Sequence, residues 1–300
     1  MKIKLAIFKL LIILAVASII SYFSPKIISG TTTFKSTITQ DSLYPKMGTP
    51  KPHEWLSITK ELGQTYKEYI NSNPNKKTAH RNKLYIRPIG DFTDTEIDVL
   101  HLTSEYLSKF YNIPVEILAP ISINTIPKTS QRTHQNISQA SGKYILNDVL
   151  AKDIPDDAIA YMGFTKIDLY NDPKNNFVFG LGNLKKRVGV YSLARYGNPD
   201  KNEASYKKFV LRTLKVASHE LGHIFSVKHC IEYKCIMNGS NSITESDLKP
   251  VYLCPIDLKK IRWNRDFENI NRFKTLEDFW SQNGFNKNAD FYKKSISFFE

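Results

Sequence analysis

The residues best suited to chemistry lie between positions 219 and 257. His219-Glu220-Leu221-Gly222-His223 places two histidines four residues apart. On a helix that spacing stacks them on one face, so both rings can reach one metal ion. Glu220 follows the first of them by one residue, where its carboxylate can meet a water held by such an ion. His229 comes six residues after His223. A straight helix cannot bring it round to the same point, so the chain is expected to leave the helix near Ser226 and fold back. Three neutral imidazoles and one open position describe a catalytic zinc site rather than a closed structural one. For His219 and His223 alone the alternative is a pair of core histidines; His229 and Glu220 argue against it. In that chemistry Glu220 takes a proton from water and later hands it to the leaving amine.

The chain has three cysteines, Cys230, Cys235 and Cys254. In an exported chain an odd count suggests one disulfide and one free thiol. With the later LCPID (Leu253 to Asp257), the run HELGHIFSVKHCIEYKCIM (His219 to Met237) resembles the archaemetzincins, a branch of the metzincin zinc proteases. Their pattern reads HExxHxxGxxHC, four residues, CxM, and a later CxxC. IDLY (Ile167 to Tyr170), NFVFG (Asn176 to Gly180) and VGVYSLARYG (Val188 to Gly197) extend the resemblance upstream. With these segments the resemblance covers roughly residues 84–262.

The resemblance implies a zinc-dependent peptidase acting on peptides or proteins. His219, His223 and His229 would hold the catalytic zinc, with Glu220 as general base. Met237 would form a turn beneath that zinc; an ordinary core methionine is the alternative. A second, structural zinc would sit on four cysteines, of which Cys230, Cys235 and Cys254 are present and Asp257 takes the fourth place. A carboxylate oxygen binds zinc at a similar distance, so a Cys3Asp set is chemically sound but weaker. A Cys230–Cys235 disulfide is the alternative in an oxidising compartment. The family has glycine where this chain has Ser226. Glycine makes the left-handed turn at little cost, whereas serine does so at roughly 1–3 kcal/mol. The resemblance also makes Phe177, Val178, Phe179 and Gly180 the edge strand above the cleft, along which an extended peptide adds as a further strand. Their apolar content equally suits a plain core strand.

Several elements must position these residues. Leu84 to Pro88 and Val115 to Leu118 read as strands around a helix from Thr93 to Tyr111, a βαβ opening onto a mixed sheet. Residues 119–141 read as polar and irregular, and Lys143 to Leu150 as helical. Ala158 to Gly163, Phe177 to Gly180 and Val188 to Leu193 read as further strands. Glu203 to Phe225 reads as the helix carrying the pentapeptide, with Phe209, Val210, Leu214, Ala217, Leu221 and Ile224 on its buried face. Lys259 to Trp263, Leu276 to Trp280 and Phe291 to Phe299 read as helices with no legible chemistry. The expected fold is α/β: a metzincin-like twisted mixed sheet over an active-site helix, with a smaller C-terminal subdomain carrying the cysteines.

Upstream of residue 83 the reading changes. Residues 1–23 read as a membrane anchor or signal peptide: Lys2 and Lys4 precede LLIILAVASII (Leu10 to Ile20). With Lys9 reaching out to the interface, Leu5 to Phe23 is long enough to span a bilayer. Ala15-Val16-Ala17 resembles a cleavage site, but Ile19 and Ile20 follow it, which favours an uncleaved anchor. Either way the bulk of the chain is expected outside the cytoplasm, membrane-anchored or secreted. Residues 24–50 read as a flexible linker, and 51–82 as a helical preface with Trp55, Ile58, Leu62, Tyr66 and Ile70 at helical spacing. The catalytic domain is assigned to 83–300, as a monomer.

The net charge of +13 raises a nucleic-acid reading. Its distribution removes the basis for it: residues 1–83 hold 13 Lys and Arg against 4 Asp and Glu, residues 84–300 hold 29 against 25. The basicity belongs to the leader and linker, and no nucleic-acid partner is expected. The remaining alternative is a non-catalytic zinc-binding module on the same scaffold, suggested by Ser226 and Asp257.

Overall fold

The computed structural model describes residues 39–174 and 176–300. Three short helices come first: α1 (Gln40–Leu43), α2 (Trp55–Ile58) and α3 (Tyr66–Asn71). Then β1 (Lys83–Ile89), α4 (Asp94–Tyr111) and β2 (Val115–Ile117) form the expected βαβ unit. The start of α4 is written locally: Thr93 Oγ1 accepts from the Glu96 amide, and Glu96 Oε2 accepts from the Thr93 amide at 2.8 Å. This reciprocal capping satisfies two otherwise unpaired donors.

A hairpin, β3 (Gln131–His134) and β4 (Ile137–Ser141), follows where the sequence reads as irregular. Its two-residue turn, Gln135 and Asn136, has φ of +50° and +62°. A turn with both central residues left-handed fits the right-handed twist of paired strands. The helical stretch expected at 143–150 is α5 (Gly142–Tyr144) continued by a π turn and a 3₁₀ turn to Lys152.

The main sheet takes in β5 (Ala158–Thr165), β7 (Gly180–Asn183) and β8 (Val188–Ser192) in the order β2-β1-β5-β8-β7. All neighbours are parallel except β7, which runs antiparallel to β8. A smaller sheet, β3-β4-β6, uses β6 (Asp168–Tyr170). Every residue of β5 and β8 is buried, as expected for strands covered on both faces. One face packs on α4 and the long helix α6 (Glu203–Ile224), through Leu84, Ile86, Met162, Leu214 and Leu221. The other face covers a second core with Tyr85, Tyr161, Val188 and Val190. Helices α7 (Ile243–Leu248), α8 (Pro255–Arg265), α9 (Asn269–Gln282) and α10 (Asn286–Phe299) complete the chain. The fold is thus the expected mixed α/β sheet over a long helix, followed by a segment that carries the cysteines.

Three expectations are corrected. The strand at Phe177 to Gly180 begins only at Gly180. Before it, the Val178 amide is spent on Leu169 of β6, at 2.8 Å. Part of the expected linker, residues 39–50, is packed: Leu43 and Tyr44 are buried, and the Met47 amide donates to Glu232 O. The preface is not one amphipathic face, because Ile58 and Leu62 are 60% and 92% exposed; its anchors are Tyr69, which is buried, and hydrogen bonds described below. The apolar run at 5–23 lies outside the described residues. Among the described residues, no helix is long and apolar enough to cross a membrane.

Candidate metal centre

Helix α6 ends in a left-handed turn at Ser226, with φ of +69°. The Ser226 amide donates to His223 O at 2.7 Å and the Val227 amide to Gly222 O at 3.0 Å. This is the paired closure that usually takes glycine at the left-handed position. Here the serine side chain is used: Asn75 N–H donates to Ser226 Oγ at 3.2 Å. The turn reverses the chain and delivers His229 to the face of the helix that carries His219 and His223.

The three rings converge. Their centroids are 4.6, 4.9 and 5.2 Å apart, and one nitrogen from each lies within 4.8 Å of the others. Each Nδ1 faces an oxygen that can only accept: Ile236 O at 2.8 Å for His219, Val227 O at 2.7 Å for His223, Glu61 Oε1 at 2.7 Å for His229. Nδ1 therefore carries the proton in all three rings, and each Nε2 presents a lone pair. The Nε2 atoms of His219 and His223 stand 3.0 Å apart. Two lone pairs at that distance repel unless a cation lies between them. Nitrogens on one tetrahedral zinc are about 3.3 Å apart for ordinary bond lengths, so the donor set fits zinc. Burial, reinforced by Lys249, pushes the His219 pKa well below its ordinary value, which keeps the ring neutral.

Around the rings the packing is close. Met237 is fully buried beneath α6. A Cβ on Gly222 would meet its Sδ at 2.5 Å, so glycine in the pentapeptide lets the methionine close against the helix. Glu220 is half-buried, and its carboxylate makes no hydrogen bond among the described residues. It opens into a cleft of about 730 Å³ shared with Phe177, Val178, Phe179, Gly180 and Lys249. Burial raises the Glu220 pKa, opposed by His223 and Lys249.

The second cluster is Cys230, Cys235, Cys254 and Asp257, all buried, with one ligand atom from each inside 4.8 Å. The three cysteines are free thiols, so the Cys230–Cys235 disulfide is not formed. Cys230 Sγ and Cys254 Sγ are 3.7 Å apart, close to the roughly 3.8 Å separation of two thiolates on one tetrahedral zinc. Asp257 Oδ2 accepts from Cys235 at 3.3 Å, while Lys260 Nζ donates to Oδ1 at 2.7 Å. The Cys235 and Cys254 thiols beside it hold the Cys230 pKa well below its ordinary value, while burial pushes Cys235 up. Asp257 is pushed up to about 6 by burial, against Lys260. Four acidic groups around one lysine form a pocket that a divalent cation would neutralise, so this set also fits zinc.

Comparison with known proteins agrees with this architecture. A profile described as peptidase family M54 matches residues 98–263. Archaemetzincin-2 of Homo sapiens is 32% identical over 259 residues, covering 75% of this chain and 71% of that protein. The chain belongs to the archaemetzincins. They are a family of zinc metallopeptidases. The archaemetzincin of Pyrococcus furiosus is 33% identical over 189 residues, covering 60% of this chain and 93% of its own length. The crystal structure of archaemetzincin from Methanopyrus kandleri shares the fold: TM-score 0.50 and 23% identity, over 64% of this chain and 99% of that one.

Sequence reasoning placed the three histidines, the cysteines and Asp257, which the structure brings together in two clusters, and Glu220 and Met237, of which the first lines the cleft with the histidines and the second lies against Gly222. It missed Glu61, Lys249 and Asn238. Lys249 Nζ donates to Asn238 O at 3.1 Å, and Asn238 holds the loop through Cys230 O and Tyr233 O. No local spacing links Glu61 to His229. Lys249 sits in a polar run, ESDLK, that reads as solvated.

Ser226→Gly should change unfolding stability by no more than about 1 kcal/mol, because relief of backbone strain offsets the lost bond from Asn75. Ser226→Val, β-branched at positive φ and without the acceptor, should lose about 3 kcal/mol in the same denaturant titration. Asp257→Ala should lower the zinc bound per chain by elemental analysis. It should also lose about 3–5 kcal/mol of stability, because Lys260 is left buried and unpaired.

Proposed function

We propose that this chain hydrolyses peptide bonds in peptides or proteins, with His219, His223 and His229 holding a catalytic zinc through Nε2 and Glu220 as general base. The observation that carries this reading is the convergence of three Nε2 lone pairs beside a carboxylate free to the cleft. Zinc, when bound there, polarises the scissile carbonyl and makes a water more acidic. The Glu220 carboxylate takes a proton from the attacking water and passes it to the leaving nitrogen. Burial raises the Glu220 pKa, which strengthens its carboxylate as a base. Cys230, Cys235, Cys254 and Asp257 hold a second, structural zinc, and Met237 closes the floor beneath the histidines.

Strand β7 ends the five-stranded sheet and leaves one edge unpaired there. An extended substrate adds to this edge, with Phe177, Val178, Phe179 and Gly180 lining the cleft beside it. A catalytically silent scaffold is not favoured, because the Ser226 turn keeps its full hydrogen bonding.

Glu220→Gln should abolish cleavage of a mixed peptide library, at least 100-fold below the parent, while zinc content stays unchanged. A parent that is folded and zinc-loaded yet cleaves nothing would overturn the reading.

A further inference from the structure

Segment 59–75 lies upstream of the part matched by the family profile, yet it closes on the metal centre. Its bonds concentrate at the end of α6. Asn75 Nδ2 donates to Ile224 O at 3.2 Å, Tyr69 Oη to Phe225 O at 2.9 Å, and Gln64 Nε2 to Ser226 O at 3.2 Å. Gln64 Oε1 accepts from the Lys228 amide at 3.1 Å. These carbonyls are the ones a helix leaves unpaired at its C-terminus. The segment therefore fixes the turn that delivers His229.

It also touches the ligand itself. Glu61 Oε1 accepts from His229 Nδ1 at 2.7 Å. Glu61 is mostly buried, its side chain 20% exposed. Its other oxygen, Oε2, is buried and has no hydrogen-bond partner. A carboxylate in that setting is costly unless positive charge is close by. His219 and His223 point Nδ1 at neutral backbone carbonyls, so His229 alone has a carboxylate behind it. Trp55 holds the same ring from the side, edge-on at 5.5 Å between centroids.

We propose that Glu61 is a positioning residue of the metal centre. Its carboxylate fixes the tautomer and orientation of His229 and raises the basicity of the ligating nitrogen, so the segment around it is part of the site. This rests on the reading of the three histidines as zinc ligands. A carboxylate behind a ligating histidine orients the ring and makes it a stronger donor, and its loss typically weakens metal binding by about 10–100-fold.

The test is zinc affinity of the metal-free full-length chain, by competition with a chromogenic chelator, for the parent, Glu61→Gln and Glu61→Ala. Cobalt substitution separates the two sites, since thiolate-to-cobalt charge-transfer bands report only the cysteine cluster. Glu61→Gln is nearly isosteric and keeps an acceptor, so it carries the test if Glu61→Ala does not fold. Both variants should hold the histidine-site metal about 10–100-fold more weakly, with altered cobalt d–d bands and unchanged thiolate bands. Thr65→Ala, which removes the cap of α3 but no bond to the turn or to His229, should lower the unfolding temperature with little change in those d–d bands. Parent-like affinity and spectrum in Glu61→Gln would overturn the inference. A parent that binds no metal at the histidines would instead overturn the reading beneath it.

Discussion

Three imidazole lone pairs directed at one point form an arrangement that repels itself in the absence of a cation. Each Nδ1 is committed to an oxygen acceptor, so no ring can relieve the repulsion by switching tautomer without breaking a bond. The rest of the structure is arranged around that convergence. Helix α6 supplies two rings, the Ser226 turn supplies the reversal, and Met237 under Gly222 fills the space below.

The loop from His229 to Asn238 serves two clusters at once. His229 faces the histidine site and Cys230, its neighbour, faces the thiols. Asn238 ties the loop to itself, and its carbonyl receives Lys249 from the cleft. The sulfur cluster and the third histidine therefore share one loop. Asp257 in the fourth place is accommodated by Lys260, which sits on the carboxylate oxygen turned away from Cys235. The two departures from the family pattern, Ser226 and Asp257, each come with a partner in this chain: Asn75 and Lys260.

Much of this was legible because the signals are local. Histidines four apart and a periodic apolar face on α6 each lie within a few turns of chain. The hairpin at 131–141 escaped because its strands are polar and its turn lacks glycine, although Asn136 tolerates positive φ. Phe177 to Phe179 read as a strand by apolar content, but Val178 bonds to Leu169 of β6 while the Phe179 carbonyl accepts from Ser192 of β8. Glu61 was out of reach for a different reason. Its partner lies 168 positions away, and one carboxylate in a sparse preface has no periodicity to betray it.

In the function proposed above, one metal ion is held by Nε2 of His219, His223 and His229. Diffraction from crystals of the zinc-loaded protein on either side of the zinc absorption edge tests it most directly. An anomalous peak is expected about 2.1 Å from all three Nε2 atoms, with each Nδ1 still on its oxygen partner. A zinc-loaded crystal with no peak there, or with a ring turned to bind through Nδ1, would contradict it.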